Sequence, residues 1–236
     1  MSFASPRVAV FDVNETLSDL SGLRPRLTDV GAPPELLALW FAATLREGFA
    51  ITAAGGYADF STIAVTTLAG LLADTDGLRG DPVDAAEHVV AGMAELELHA
   101  DVGPGLRALA DAGVRIVTLS NGAAAVAESL LERAGLGDLV EAYLSVSDAG
   151  RWKPAPEAYA HAARRCAAGP NELALIAVHP WDIDGARRAG LRTGWLARPA
   201  TAYPGFFLAP DASGRTLPEL VSSLVAPGES GATPTG

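Results

Sequence analysis

Asp12 closes the apolar run Arg7-Val8-Ala9-Val10-Phe11 and is followed by the polar break Asn14-Glu15-Thr16. The pattern presents one reactive carboxylate on a turn, although an aspartate there also suits a helix N-cap. Ser120-Asn121-Gly122 ends a second apolar run. Its hydroxyl and amide could bind a substrate carboxylate together with N–H groups at the start of the next helix, or make an ordinary turn. Lys153 lies in Arg151-Trp152-Lys153-Pro154-Ala155-Pro156, with Tyr159 shortly after it. A lysine before Pro-x-Pro is held in an extended segment, and its ammonium could keep Asp12 ionised and position it for attack. A lone lysine is otherwise a solvated side chain. In His179-Pro180-Trp181-Asp182-Ile183-Asp184-Gly185-Ala186, Asp182 suits a helix N-cap and an acceptor for Lys153 or a water. His179 offers either a base near neutral pH or a structural hydrogen bond.

These residues can cooperate only if the chain brings them to one edge. Apolar runs at 7–13, 114–120, 174–179 and 192–198 read as short buried strands, and helical patterns cover 105–112, 123–134, 156–168 and 182–190. Strands alternating with helices imply an α/β fold with right-handed crossovers and a parallel sheet. Ligands in such sheets gather at the carboxyl ends of the strands, where each motif above is expected. Between residues 18 and 98 the pattern changes to helices alone, at 34–46, 57–73 and 83–98. Pro34 suits a first helical turn, whereas Gly48 and Gly55-Gly56 suit breaks. An insertion of this kind after the first strand would lie over the strand ends and close the site against bulk water. The expected division is a core of residues 1–17 and 99–225, a helical cap of 18–98 and a disordered tail of 226–236, rich in Gly, Pro, Ser and Thr.

The 236 residues are enough for a substantial core, and 49% of them are hydrophobic, as a globular chain requires. A net charge of −11 argues against nucleic acid, which needs a cationic surface. A small acidic substrate would be drawn by local positive charge. Cys166 is the only cysteine, which excludes an intrachain disulfide and fits a reducing compartment. It reads as a small buried thiol at a helix end. No bilayer-spanning segment and no secretory signal are expected, so the chain is assigned to the cytoplasm, with no membrane partner and a homodimer as its assembly.

Taken together and in order, Asp12 with Thr16, Ser120-Asn121, Lys153-Pro154 and Asp182-Ile183-Asp184-Gly185-Ala186 resemble the motif set of the haloacid dehalogenase superfamily. The resemblance runs from about residue 7 to 198. It implies a Rossmann-like core, a helical cap and Asp12 as nucleophile. The phosphatases of that superfamily carry a second Asp two positions after the nucleophile, where this chain has Asn14, and an amide cannot supply the proton needed by a leaving alkoxide. They also tend to have an acidic residue where this chain has Val178, which leaves at best a poor Mg²⁺ site of Asp12, the Asn14 carbonyl and Asp182.

The 2-haloacid dehalogenases are the group it resembles most, through Trp181-Asp182, Lys153 with Tyr159, and Tyr57-Ala58-Asp59-Phe60. That resemblance implies a small carboxylic acid substrate and neither metal nor other cofactor. Asp12 would displace a substituent from the α-carbon, and water would then cleave the ester. Lys153 would orient the nucleophile, with Thr16, Ser120 and Asn121 holding it or the substrate. Asp182 would position the water, Tyr159 would support the lysine loop, and His179 would be a base. The halide-binding arginine of those enzymes is expected beside Trp40, where this chain has Phe41; Arg24, Arg26 and Arg46 are candidates to replace it. Asn14 stands where they carry Tyr. These departures keep open the opening of a strained cyclic amino acid, as in the similar azetidine-2-carboxylate hydrolases, with Asn14, Phe41 and Trp181 among the substrate contacts. The same fold would also suit a Mg²⁺-dependent phosphatase or a non-catalytic binding protein.

Overall fold

Val8-Ala9-Val10-Phe11 has no polar face to offer water, and it forms β1 (Val8–Phe11) at the centre of a six-stranded sheet. The computed structural model describes residues 5–198 and 202–225. After β1 come α1 (Arg24–Asp29), α2 (Leu36–Ala53), α3 (Phe60–Ala73) and α4 (Pro82–Ala91), followed by α5 (Val102–Asp111). The chain then runs through β2 (Arg115–Ser120), α6 (Ala124–Arg133), β3 (Ala142–Ser145), α7 (Pro156–Arg165) and β4 (Leu173–Ala177). It closes with α8 (Pro180–Arg188), β5 (Arg192–Leu196), β6 (Ala212–Gly214) and α9 (Leu217–Leu224).

The strand order is β3-β2-β1-β4-β5-β6, and every pairing is parallel. The chain builds outward from β1 through β2 to β3 and then crosses back by way of α7 to β4 on the other side of β1, so a crevice opens at the carboxyl end of β1. Alternate residues of β1 enter opposite cores. Val8 and Val10 pack with α7, α8 and the inserted helices, while Ala9 and Phe11 pack with α5 and α9. Truncating the fully buried Phe11 to Ala would cost about 3–5 kcal/mol.

Four sequence expectations need correction. Two strands, β3 and β6, have no apolar run to announce them: β3 is half-buried at its start, and β6 is Ala-Ser-Gly at the sheet edge. Gly48 does not break its helix; α2 passes through it and ends only before Gly55, whose φ of +87° stops the turn. A Cβ on Gly48 would lie 2.3 Å from Trp152 ring carbons, so the glycine supplies close approach rather than freedom. The helix from 83 stops at Ala91 and tightens into a 3₁₀ turn, Gly92–Glu95. Finally, Leu36–Ala53 is long and apolar enough to cross a membrane, with 18 residues and a mean hydropathy of 1.3. In the fold it buries Leu37, Trp40, Phe41 and Thr44 against protein. The tail expected to be disordered, 226–236, lies outside the described residues.

Candidate active site

Asp12 continues the sheet by one residue, its N–H donating to the Ile176 carbonyl at 3.1 Å. The chain then turns sharply: Leu17 and Ser18 both donate to the Val13 carbonyl, and Glu15 adopts a left-handed φ of 62°. This turn returns Thr16 to Asp12, where its hydroxyl donates to Oδ2 at 2.6 Å. Thr16 Oγ1 in turn accepts the Val178 N–H at 3.1 Å, which fixes the direction of its proton. Arg198 braces the turn from behind by donating to the Thr16 carbonyl at 3.0 Å and to Asp101 at 2.7 Å.

Lys153 is wholly buried and bridges two strand ends. Its Nζ donates to Asp12 Oδ1 at 2.8 Å and to Asp182 Oδ2 at 2.6 Å. The Tyr159 hydroxyl donates to Asp182 Oδ1 at 2.6 Å. The peptide between Lys153 and Pro154 is cis. Gly185 lets α8 approach this loop, since a Cβ there would lie 2.6 Å from the Tyr159 hydroxyl and from Pro154 Cβ. Asp182 therefore occupies the first turn of α8, and the N-cap is His179 rather than Asp182 as expected.

The two carboxylates are driven apart in acidity. Burial alone would raise Asp12, but the charges of Lys153 and His179, with hydrogen bonds from Lys153 and Thr16, hold it below its ordinary range. Asp182 is raised: burial and the neighbouring Asp12 charge outweigh Lys153 and Tyr159. Lys153 is itself raised, because Asp12 and Asp182 overcome the desolvation that would lower it. The same buried surroundings thus push the two carboxylates in opposite directions, with one ammonium between them.

His179 stacks on Trp181, with ring centroids 5.0 Å apart, and faces Phe41 at 6.1 Å. Its Nε2 lies 3.1 Å from the Asn14 carbonyl, 3.5 Å from Asp12 Oδ2 and 3.7 Å from Glu15 Oε2. A carbonyl only accepts, so Nε2 carries the proton. The nitrogen nearest Asp12 is consequently a donor, the arrangement of a structural hydrogen bond at that nitrogen.

A cavity of about 370 Å³ opens beside Asn14, Ser120 and Asn121, walled by Tyr57, Phe60 and Met93. Ser120 Oγ accepts the Gly122 N–H at 2.9 Å, leaving its own proton to donate outward. Here α6 begins without a side-chain cap at Ala123, and Gly122, Ala123 and Val126 at its start line the cavity. Asn121 lines the cavity and also holds the lysine loop: its Oδ1 accepts the Lys153 N–H at 2.9 Å, and its Nδ2 donates to the Lys153 carbonyl at 3.4 Å. Phe41 lines a second cavity of about 580 Å³, with Glu15, Arg24, His99, His179 and Arg198. Trp181 lines neither cavity and packs edge-on against Phe49. Of the candidate arginines, Arg26 is bound to Glu95 and Arg46 to Glu47, whereas Arg24 reaches the second cavity.

Glu15 and Arg198 join the site without a motif to mark them. The polar break and the end of the fourth apolar run are the only signals they carry in the sequence. Among the described residues no group of three or more His, Cys, Asp or Glu could hold a metal ion. Asp12 and Asp182 are joined through the Lys153 ammonium, and Val178 offers no third carboxylate, so the donors do not fit Mg²⁺.

A family model described as haloacid dehalogenase-like hydrolase matches residues 6–190. The chain is 30% identical over 198 residues to (S)-2-haloacid dehalogenase 4A of Burkholderia cepacia, covering 80% of this chain and 82% of that protein. It is 29% identical over 227 residues to (S)-2-haloacid dehalogenase of Xanthobacter autotrophicus, covering 94% and 82%. A crystal structure of a dehalogenase with an intermediate complex superposes with a TM-score of 0.86 at 27% identity, covering 96% of this chain and all of that one. The matched span contains β1, β2 and β4 together with the residues at their carboxyl ends, and the chain belongs to the haloacid dehalogenase-like hydrolases.

Proposed function

We propose that the protein hydrolyses small α-substituted carboxylic acids of the 2-haloacid type, without a metal, through an ester on Asp12. The observation that carries this reading is the Lys153 ammonium shared between an acidified Asp12 and a more basic Asp182. The substrate carboxylate would lie against the Ser120 hydroxyl and the uncapped N-terminus of α6. A carboxylate oxygen of Asp12 then attacks the α-carbon while the substituent leaves with its bonding electrons. Water adds to Asp12 Cγ, giving its proton to Asp182. The 2-hydroxy acid departs with the proton held by Asp182, the second water proton is released to solvent, and Asp12 is restored as a carboxylate with one oxygen from water.

Phe41 supports a second reading in which the leaving group is an amine. An aromatic ring stands where a halide-binding guanidinium was expected, and it favours a cationic leaving group over an anionic one. Metal-free assays of (S)- and (R)-2-chloropropionate, fluoroacetate and azetidine-2-carboxylate separate the two, with Asp12→Asn as the control. Halide release supports the first reading. Turnover of the ring substrate alone supports the second and keeps the mechanism. Activity on phosphate esters only, and only with Mg²⁺, would overturn both.

A further inference from the structure

The ester-cleaving half of this reaction needs a place for the negative charge that develops on the Asp12 carbonyl oxygen. We infer that this oxygen is Oδ2, and that it is held by two donors, the Thr16 hydroxyl and the Nε2–H of His179. The assignment rests on the ester reading above. The two oxygens of Asp12 are not equivalent: among the described residues Oδ1 receives Lys153 Nζ, whereas Oδ2 receives Thr16 at 2.6 Å and has His179 Nε2 at 3.5 Å. Thr16 already donates to Oδ2, whereas the Nε2–H of His179 rests on the Asn14 carbonyl at 3.1 Å and stands 3.5 Å from Oδ2, close enough to share its proton as charge develops there. Thr16 is aimed at Oδ2 because its oxygen is occupied by the Val178 N–H. His179 is fixed by its stack on Trp181, tilted by only 19°, and its proton is on Nε2 because the Asn14 carbonyl lies 3.1 Å away. The end of β4 therefore delivers both, Val178 through Thr16 and His179 directly.

The step balances. Oδ1 forms the new C–O bond as the leaving group departs with its electron pair, and Oδ2 becomes the ester carbonyl oxygen. Water bonds to Cγ, its proton goes to Asp182, and the C=O pair moves onto Oδ2. Collapse breaks the Cγ–Oδ1 bond, the product leaves with Oδ1 as its hydroxyl oxygen and takes the proton back from Asp182, and the second proton of the water leaves the Asp12 carboxyl for solvent. Preorganised donors at such an oxygen are worth about 10²–10³ in rate when well aligned. With its N–H shared with Asn14, His179 is expected to contribute about 10- to 100-fold.

Single turnovers of (S)-2-chloropropionate and of azetidine-2-carboxylate, quenched and followed by intact mass, test this. His179→Phe keeps a ring on Trp181 without the donor, and His179→Gln returns an N–H near the same point. In His179→Phe the decay of the Asp12 adduct should slow about 10- to 100-fold, and by more than its formation does, with decay largely restored in His179→Gln. Thr16→Val, which reaches the same oxygen from the other side, should also prolong the adduct. Equal decay in wild type and His179→Phe overturns the assignment, as does slower formation with unchanged decay, or a His179→Gln variant no faster than His179→Phe. If neither substrate gives an Asp12 adduct in any variant or in the wild type, the ester reading itself fails and the assignment falls with it.

Discussion

Lys153→Met removes the ammonium at the centre of the site while nearly preserving the length of the side chain. In the wild type that ammonium is fully buried between Asp12 at 2.8 Å and Asp182 at 2.6 Å. The variant leaves two carboxylates facing each other, with only neutral donors such as Thr16 and Tyr159 beside them. Removing one partner of a buried ion pair costs about 3–5 kcal/mol, because the remaining charge is uncompensated. The site relieves this by taking up a proton, and Asp182, already raised by burial, is the group to take it. In the variant the folded-state pKa of the pair lies above the unfolded carboxylate value near 4. The folded protein then binds more protons than the unfolded chain between those two values, so stability falls as pH rises through the window. Asp12 in the wild type behaves oppositely: its pKa is lowered, and its contribution is present above the unfolded value and lost only as pH falls through the lowered one. The stability gap between the two proteins should therefore widen from pH 5 to pH 8, reaching about 3–5 kcal/mol. Urea unfolding across that range measures it. A gap below about 1 kcal/mol at pH 8, or one equal at both ends, would refute the claim that one cation holds both carboxylates.

Tyr159→Phe deletes the 2.6 Å donor to Asp182 and should cost about 1.5–3 kcal/mol by urea unfolding, with a matching fall in turnover; unchanged stability would mean that Asp182 has another donor. Gly185→Ala gains helix propensity of about 1 kcal/mol but drives a methyl into Pro154 and Tyr159. Overpacking of about 1–3 kcal/mol should win, lowering Tm and activity together, and a raised Tm would show that α8 can retreat. Glu15 is raised, first by burial and then by Asp12, against the charge of His179. It should make the wild type lose stability as pH rises through its folded value, so Glu15→Gln should flatten the pH dependence of thermal melts between pH 5 and 8. Identical slopes in the two proteins would remove Glu15 from the electrostatics of the site.

The residues that converge on Asp12 could be read locally because each stands at the end of an apolar run or before a Pro-x-Pro segment. Their meeting was not local: Lys153 and Asp12 are 141 positions apart and join only through the parallel order of the sheet. Asn121 has the right chemistry for a ligand, but the hold of both ends of its amide on the Lys153 backbone is a long-range contact with no local pattern. Gly48 misled for a similar reason. A missing side chain signals flexibility in sequence, but here it makes room for Trp152. The edge strands β3 and β6 escaped because they are only partly buried and so leave no continuous apolar run, whereas β1, as short as β3, is buried throughout.

Trp152 turns its back on Lys153 and fastens the same loop to the inserted helices. Its ring rests on Gly48, its indole N–H donates to the Ala58 carbonyl at 2.9 Å, and its backbone N–H donates to Thr52 at 3.3 Å. Arg151 adds a bond to the Gly56 carbonyl at 3.3 Å. A hinged lift of α2 would pull on the loop that holds the Lys153 ammonium between Asp12 and Asp182. Traffic is left to the cavities beside Asn14 and Glu15. The widest molecule that can pass without unfastening Trp152 is the widest that can meet Asp12 with that ammonium in place.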